Sequence, residues 1–494
     1  MTALYSVAEI RDIEHAAAAS LPPGTLMQRA GLAASDCALD MLSTGYVLVL
    51  AGPGNNGGDA LEAAANLAQA GIDVSVIHLL GTASVSAETA QALARARASD
   101  VDFIDALPDD DDCGLVIDGL FGIGLARPLD GAARELVLAL ERRAGPVLAL
   151  DVPSGLDADT GALIGPDGVA VRATRTITFI GDKPGLHTFA GRDYAGEVIV
   201  ASLGIEALPQ ADAGLNHPQH FGAQLTPRQH NSHKGSFGDV AIIGGAAGMT
   251  GAAVLAARGA LFAGAGRVFV ASLDPGPAYD SLQPEIMFRS AAGFNGSDST
   301  LVLGPGMGDS AGAIRALAKA LDGPSPLVLD ADALNLLGAS VDLQTRLSAR
   351  SGQTIMTPHP LEAARLLGVT AAVVQGDRLA AAREIAARFG AIAVLKGSGS
   401  VIANPQGLAL INPTGNPGLA TGGTGDVLAG VCGSLLAQGW PAWEAALGAV
   451  WLHGAAADWL VLHGAGPVGL TAGELPSAIR SVFNQLIGGQ RTAT

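Results

Sequence analysis

"NPTGNPGLATGGTGDVLAG" occupies residues 412–430. Gly422, Gly423 and Gly425 free the backbone, and the apolar run "VLAGVCGSLL" starts immediately after Asp426. That run predicts a buried helix beginning at Gly425 or Asp426. Its first N–H groups and its positive dipole end would point into the glycine loop and form an anion hole. A carboxylate at the rim can accept a proton from a hydroxyl while the hole holds a transferring phosphoryl group. A plain N-cap would explain Asp426 but not the glycines around it.

Outward from this loop, the second half of the chain alternates strand and helix. "DVAIIGG", "RVFVAS", "TLVLGPG", "PLVLDAD", "QTIMTP" and "AIAVLKG" read as strands, with helices near 252–263, 311–321, 361–367 and 372–389. Long helices are expected at 425–438 and 443–463, and a last one near 473–487. The first half alternates in the same way, with strands "YVLVLAG", "GLVIDGL" and "PVLALDV" and helices at 59–70, 87–98 and 132–143. Continuous apolar strands separated by helices predict parallel sheets covered on both faces. Between about 206 and 237 prolines, glutamines and histidines replace the apolar runs. The boundary is expected near residue 215, giving domains 1–215 and 216–494.

The chain has 494 residues, 49% hydrophobic and 15% charged, enough for two cores and against disorder. A net charge of −18 argues against nucleic acid or an anionic membrane as partner. Three scattered cysteines suggest neither a disulfide framework nor zinc, so the expected compartment is the reducing cytoplasm. The start "MTALYSVAEIRDIEHAAAAS" does not read as a signal peptide. Polar residues interrupt 428–462, which reads as helices of a globular core rather than a membrane span. Trp443, Trp451 and Trp459 read as core or subunit packing.

"AGPGNNGGDA" (51–60) joins a strand to a helix and aims backbone N–H groups over the helix start. It matches neither G-x-G-x-x-G nor a Walker A loop, which weakens a nicotinamide-dependent oxidoreductase. "DGLFGIGLARP" (118–128) and "DVPSGLDADTG" (151–161) also follow strands, so all three emerge on one carboxyl edge. Asn55, Asn56, Asp59, Asp118, Asp151 and Ser154 would converge there. This set of hard oxygens suits an s-block cation, not zinc.

With "LMQRAG" (26–31), these motifs resemble the NAD(P)H-hydrate epimerase domain of the bifunctional NAD(P)H-hydrate repair family, over roughly 1–210. The resemblance implies a Rossmann-like three-layer sandwich. It implies that the hydrated nucleotide contacts Asn55, Asn56, Gly57, Gly58, Asp59, Gly122, Ile123, Gly124, Leu125, Ala126, Arg127, Pro128 and Asp151. It further implies a potassium ion at Asn56, Asp118 and Ser154, and Asp151 as the acid/base group.

The glycine loop itself resembles the ribokinase-like superfamily, whose small-molecule kinases end their site in Gly-x-Gly-Asp. "HKGSFGDVAIIGG" (233–245), "GMTGAAVLAARGALFAGAGRV" (248–268), "GPGMG" (304–308), "LDADALN" (329–335), "TPHPLEAARLLG" (357–368) and "LKGSGSVIA" (395–403) narrow this to the ADP/ATP-dependent NAD(P)H-hydrate dehydratases, over about 225–490. The resemblance implies that Ala252, Gly306, His359 and Asp426 line the hydrated nucleotide. It implies that Lys396, Gly397, Ser398, Gly399, Ser400 and Gly425 contact the phosphoryl donor, ADP or ATP, with ADP favoured. Ala246 and Met249 stand where the family often has Ser and Tyr, and Ser400 where Thr is usual. Taken by itself, His359 is either a turn residue or a ligand contact, and Asp330 and Asp332 either hold magnesium or water or cap turns. The implied substrates are NADHX and NADPHX, and a homo-oligomer is expected. A kinase that releases a phosphorylated alcohol is the alternative, with the first half a non-catalytic nucleotide-binding module.

Overall fold

The computed structural model describes residues 2–79, 86–108 and 112–490. The chain divides into two compact units, Thr2–Gly214 and Leu215–Thr494.

The first unit is built on a seven-stranded parallel sheet. Its spatial order is Asp102–Phe103, Val74–His78, Tyr46–Ala51, Cys113–Gly119, Val147–Leu150, Arg175–Phe179, Glu197–Ala201. The central run "YVLVLA" explains the layering. Val47, Val49 and Ala51 pack with Leu61 and Ala64 of helix Asn55–Gln69, whereas Leu48 and Leu50 pack with Leu136 and Val137 of helix Gly131–Leu140. Both faces of one strand are therefore buried, which forces helices onto both sides and gives the three-layer sandwich.

In the second unit the strands run Ala409–Ile411, Val401–Ala403, Ile392–Leu395, Thr354–Met356, Leu327–Leu329, Thr300–Leu303, Asp239–Gly244, Arg267–Ser272, Met287–Ser290. They are parallel from Ile392–Leu395 onward, and the first two join antiparallel. Helix Thr424–Ala437 lies against helix Thr250–Phe262 at backbone distance. A methyl group on Gly430 would fall 1.9 Å from the Ala256 carbonyl, and one on Gly259 would fall 2.5 Å from the Val427 carbonyl. Only glycine permits that approach, and it fixes where the helix start points.

Several elements differ from the sequence reading. The helix expected from 59 begins at Asn55, so Asn55, Asn56, Gly57 and Gly58 form its first turn rather than a loop. Two glycines inside that turn disguised it, because glycine is a poor helix former. The 372–389 helix is two, Ala371–Gly376 and Arg378–Phe389, divided at Asp377, which caps the second. The supposedly irregular linker contains a strand, Ala213–Leu215, antiparallel to Ala3–Leu4. Helix Ala442–Leu462 is long and apolar enough by composition to cross a membrane, and it is 67% buried inside the fold.

Candidate active sites

In the first unit three strand ends meet. Asp118, wholly buried, ends the strand Cys113–Gly119. It accepts from the Ser154 amide at 2.8 Å, the Ser154 hydroxyl at 2.7 Å and the Leu120 amide at 3.2 Å. Burial pushes its pKa up to about 6 despite these hydrogen bonds. The Phe121 amide donates to Ser154 Oγ at 2.9 Å, which ties the 118–128 loop to the 151–161 loop. Asn56 donates to the Leu150 carbonyl at 3.2 Å, while its Oδ1 is buried with no partner among the described residues.

Asp151 follows the strand Val147–Leu150 with φ of 63°, a left-handed conformation that a non-glycine residue adopts only under tertiary constraint. Its Oδ2 accepts from the Ile123 amide at 3.0 Å, and its Oδ1 from Lys183 Nζ at 2.7 Å. Gly122 lies against both Asp151 and Asn56. Asp59, the fifth residue of helix Asn55–Gln69, is driven well above the usual carboxylate range by burial and by Asp151, Glu14 and Glu62. Asn56, Gly122, Ile123, Asp118, Asp151 and Ser154 are thus brought together. Gly57 and Gly58 are buried in the helix turn, Leu125 is half-buried and donates to the Gly122 carbonyl at 3.2 Å, and Asn55, Gly124, Ala126, Arg127 and Pro128 are exposed around them.

In the second unit, helix Thr424–Ala437 starts one residue earlier than the sequence suggests. Its N-cap is Gly423, at φ 91° and without a side chain. Asp426 is therefore the third helical residue and caps nothing. Burial and the neighbouring Asp330 raise its pKa to about 6, against the pull of Lys396. The Thr424 amide donates to the Thr421 carbonyl at 3.4 Å, and the next first-turn amides, of Gly425 and Asp426, lack intrahelical partners by geometry. Lys396 follows the strand Ile392–Leu395, and its Nζ would touch a methyl group on Gly425 at 3.3 Å. Gly397 and Ser400 close the 396–400 turn, with the Gly397 amide donating to Ser400 Oγ at 3.3 Å. Ser398 is exposed and Gly399 buried within the same turn.

Gly306 is buried, and its carbonyl accepts from the Ala246 amide at 2.8 Å. Ala252 is half-buried in helix Thr250–Phe262, whose Leu255 abuts Gly423. His359 is the N-cap of helix Pro360–Leu367: its Nδ1 accepts from the amides of Leu361 at 3.1 Å and Glu362 at 3.4 Å. Nδ1 therefore carries no proton, and Nε2 faces Glu362 Oε1 at 3.2 Å. Burial pushes Glu362 up to about 7.

A family model described as NAD(P)H-hydrate dehydratase matches residues 240–479, and one described as YjeF-related protein N-terminus matches residues 23–185. The bifunctional NAD(P)H-hydrate repair enzyme Nnr of Coxiella burnetii is 36% identical over 501 residues, which cover 98% of this chain and 100% of its own. The enzyme of the same description from Mycobacterium leprae is 37% identical, covering 98% of this chain and 99% of its own. The chain belongs to the bifunctional NAD(P)H-hydrate repair enzymes. It acts as an epimerase and as an ADP/ATP-dependent dehydratase of hydrated NAD(P)H. A crystal structure of the Bacillus subtilis ADP/ATP-dependent NAD(P)H-hydrate dehydratase, co-crystallised with ATP and Mg2+, aligns at 30% identity and a TM-score of 0.47, over 55% of this chain and 98% of that one.

Sequence reasoning about this repair enzyme passed over several residues. Lys183 is fully buried, and its three protons meet three acceptors: Asp151, Thr178 Oγ1 at 2.7 Å and the Phe179 carbonyl at 2.9 Å. Its signal was a lone lysine in "FIGDKPG", just past a buried strand. Arg378, buried, donates to the carbonyls of Leu395 at 3.2 Å and Lys396 at 3.3 Å and so supports the 396–400 turn. His453 Nε2 donates to the Thr424 carbonyl at 2.9 Å, and burial lowers its pKa to about 4, leaving the ring neutral. Asp458, on the same helix, takes the Gly415 amide at 2.8 Å and Asn416 Nδ2 at 2.9 Å. Together these two hold the start of helix Thr424–Ala437 and the loop that precedes it.

Proposed function

We propose that residues 1–215 carry the epimerase and 216–494 the dehydratase, each at the site described. In the epimerase, Asp151 is the acid/base group at the hydroxyl-bearing carbon of the hydrated ring. The support is its geometry: a strained backbone, one oxygen on an amide and the other on a buried ammonium, at the meeting point of three strand ends. The nucleotide contacts residues 55–59 and 122–128. Potassium fits the neighbouring oxygens, because Asn56 Oδ1 is buried without a partner near the Asp118 carboxylate and the Ser154 hydroxyl. Bound there, it would supply positive charge for the nucleotide and order the strand ends.

In the dehydratase, Asp426 takes the proton from the ring hydroxyl of the S epimer. That oxygen attacks the terminal phosphoryl of ADP or ATP, and the bond from phosphorus to the departing nucleotide breaks. The first-turn amides of Gly425 and Asp426 neutralise the charge that develops. Hydroxide is a poor leaving group and phosphate a good one. The ring nitrogen lone pair then expels phosphate, and the adjacent carbon loses a proton to give NAD(P)H. Ala252, Gly306 and His359 line the hydrated nucleotide, and Lys396–Ser400 with Gly425 take the donor, ADP being preferred. Magnesium accompanies the donor phosphates; its chemistry is charge neutralisation on the leaving group. Asp330 Oδ1 already faces Lys396 and Asp332 Oδ2 accepts from the Gly308 amide at 2.8 Å, which counts against a magnesium ion held directly by those two oxygens. We place the enzyme in the cytoplasm, as a homo-oligomer.

The observation that carries the dehydratase reading is a half-buried carboxylate in the first turn of a helix whose N-cap is a glycine without a side chain. The test incubates the protein with mixed epimers of hydrated NADH and ADP, then ATP. Full conversion of both epimers to NADH with release of phosphate is expected. A stable phosphate ester would instead establish a kinase, and conversion of one epimer alone would remove the epimerase.

A further inference from the structure

Resting on the reading that phosphoryl transfer occurs at Gly422–Asp426, we propose that Asp330 is a positioning residue. It acts through Lys396, holding the lysine ammonium at the mouth of helix Thr424–Ala437, where that charge meets the transferring phosphoryl group.

Asp330 ends the strand Leu327–Leu329, and its side chain is 1% exposed. A carboxylate this deeply buried must be paired. It stands at the N-cap of helix Ala331–Ala339, yet its side chain caps nothing there. The next residue, Ala331, has φ of 44°, so the backbone is held in a strained conformation just where the carboxylate turns away from its own helix. What it turns to is Lys396: Oδ1 and Nζ are 2.6 Å apart.

The two residues come from different strand ends, 66 positions apart, and converge on one point of a third element. A methyl group on Gly425 would lie 3.3 Å from Lys396 Nζ and 4.0 Å from Asp330 Oδ2. Gly425 is the second residue of the helix, where unpaired amides and the positive dipole end already favour an anion. An ammonium beside a helix N-terminus is unfavourable alone. Burial works to lower the Lys396 pKa, and Asp330, Glu362 and Asp426 outweigh burial and raise it. Lys396 therefore stays charged, and Asp330 is the only one of the three in hydrogen-bond contact with it.

This arrangement counts against a magnesium ion on the inner oxygen of Asp330. A magnesium ion wants several oxygens in octahedral array. Here the Lys396 ammonium already occupies Asp330 Oδ1, and Oδ2 of the nearby Asp332 takes the Gly308 amide. The pair instead resembles a loaded clamp. The carboxylate keeps the ammonium extended over Gly425 before substrate arrives, so that no reorganisation is needed at the moment of transfer.

The test is a double-mutant cycle of Asp330→Asn, Lys396→Gln and the two together, with ADP as donor and pure S epimer as substrate. Each single variant should lose about 10²-fold in kcat, and in Asp330→Asn the KM for ADP should change less than about threefold. The double variant should be no slower than Lys396→Gln, because Asp330 has nothing left to position. Calorimetric binding of ADP should show the same magnesium dependence in Asp330→Asn as in the wild type. Losses that multiply in the double variant, or an Asp330→Asn enzyme restored by raised magnesium, overturn the proposal. The double variant carries a neutral pair and guards against misfolding of a single one, with epimerisation by the same chain as the control. Failure of the underlying reading looks different: Asp426→Asn would then dehydrate at full rate.

Discussion

Replacing Gly122 by alanine adds one methyl group at the centre of the epimerase site. That methyl would lie 2.6 Å from Asp151 Oδ2 and 3.3 Å from Asn56 Cγ. Gly122 does not have a positive φ, so its backbone tolerates alanine and the strain falls on the neighbours. A relaxed contact needs about 3.5 Å, so the carboxylate must retreat by about 0.9 Å. It cannot rotate freely, because Oδ2 is held by the Ile123 amide and Oδ1 by Lys183. A misplacement of about 1 Å at a reacting group costs about 10²-fold in rate, or about 2.7 kcal/mol. The assay follows exchange of R and S hydrated NADH by NMR, and in the same preparation follows ADP-driven recovery of NADH from the S form. Epimerisation should fall about 10²-fold while dehydration stays at its wild-type rate. Epimerisation within about threefold of wild type, at an unchanged melting temperature, would refute the argument that the position of Asp151 sets the rate.

Dehydration should lose activity as pH falls through about 6, because the raised pKa of Asp426 means its base form disappears there rather than near pH 4. Asp426→Asn should remove that limb of the kcat profile, lower dehydration by about 10²–10⁴-fold and leave epimerisation untouched. Lys183→Met strands the buried Asp151 carboxylate and should cost about 3–5 kcal/mol in denaturant unfolding of the first unit. Adding Asp151→Asn to Lys183→Met should recover much of that stability and none of the epimerisation.

The parallel core of each sheet, its helical covers and, to within a residue, the start of helix Thr424–Ala437 were legible because each depends on local pattern, whereas the antiparallel strands Val401–Ala403 and Ala409–Ile411 were not. An unbroken apolar strand such as 46–51 has to be buried on both faces, and three glycines before an apolar run have to open a helix. Asn55–Gly58 were misread as loop because glycine obscures a helical turn. The strand Ala213–Leu215 was missed because three residues carry no period. Lys183, His453, Asp458 and Arg378 were overlooked for a different reason. Each looks like an isolated polar residue, and only its partner, 17 to 43 positions distant, gives it meaning.

Sequence by itself determined the fold class of both halves and the family. Tertiary structure alone decided which charges meet. Lys396 and Asp330 are 66 residues apart in sequence and in contact at 2.6 Å, and Asp151 is held by a lysine 32 residues on. Hydrophobic periodicity is written within a few turns of chain. Pairing of buried charges is a property of where different strands end, and no local pattern encodes it.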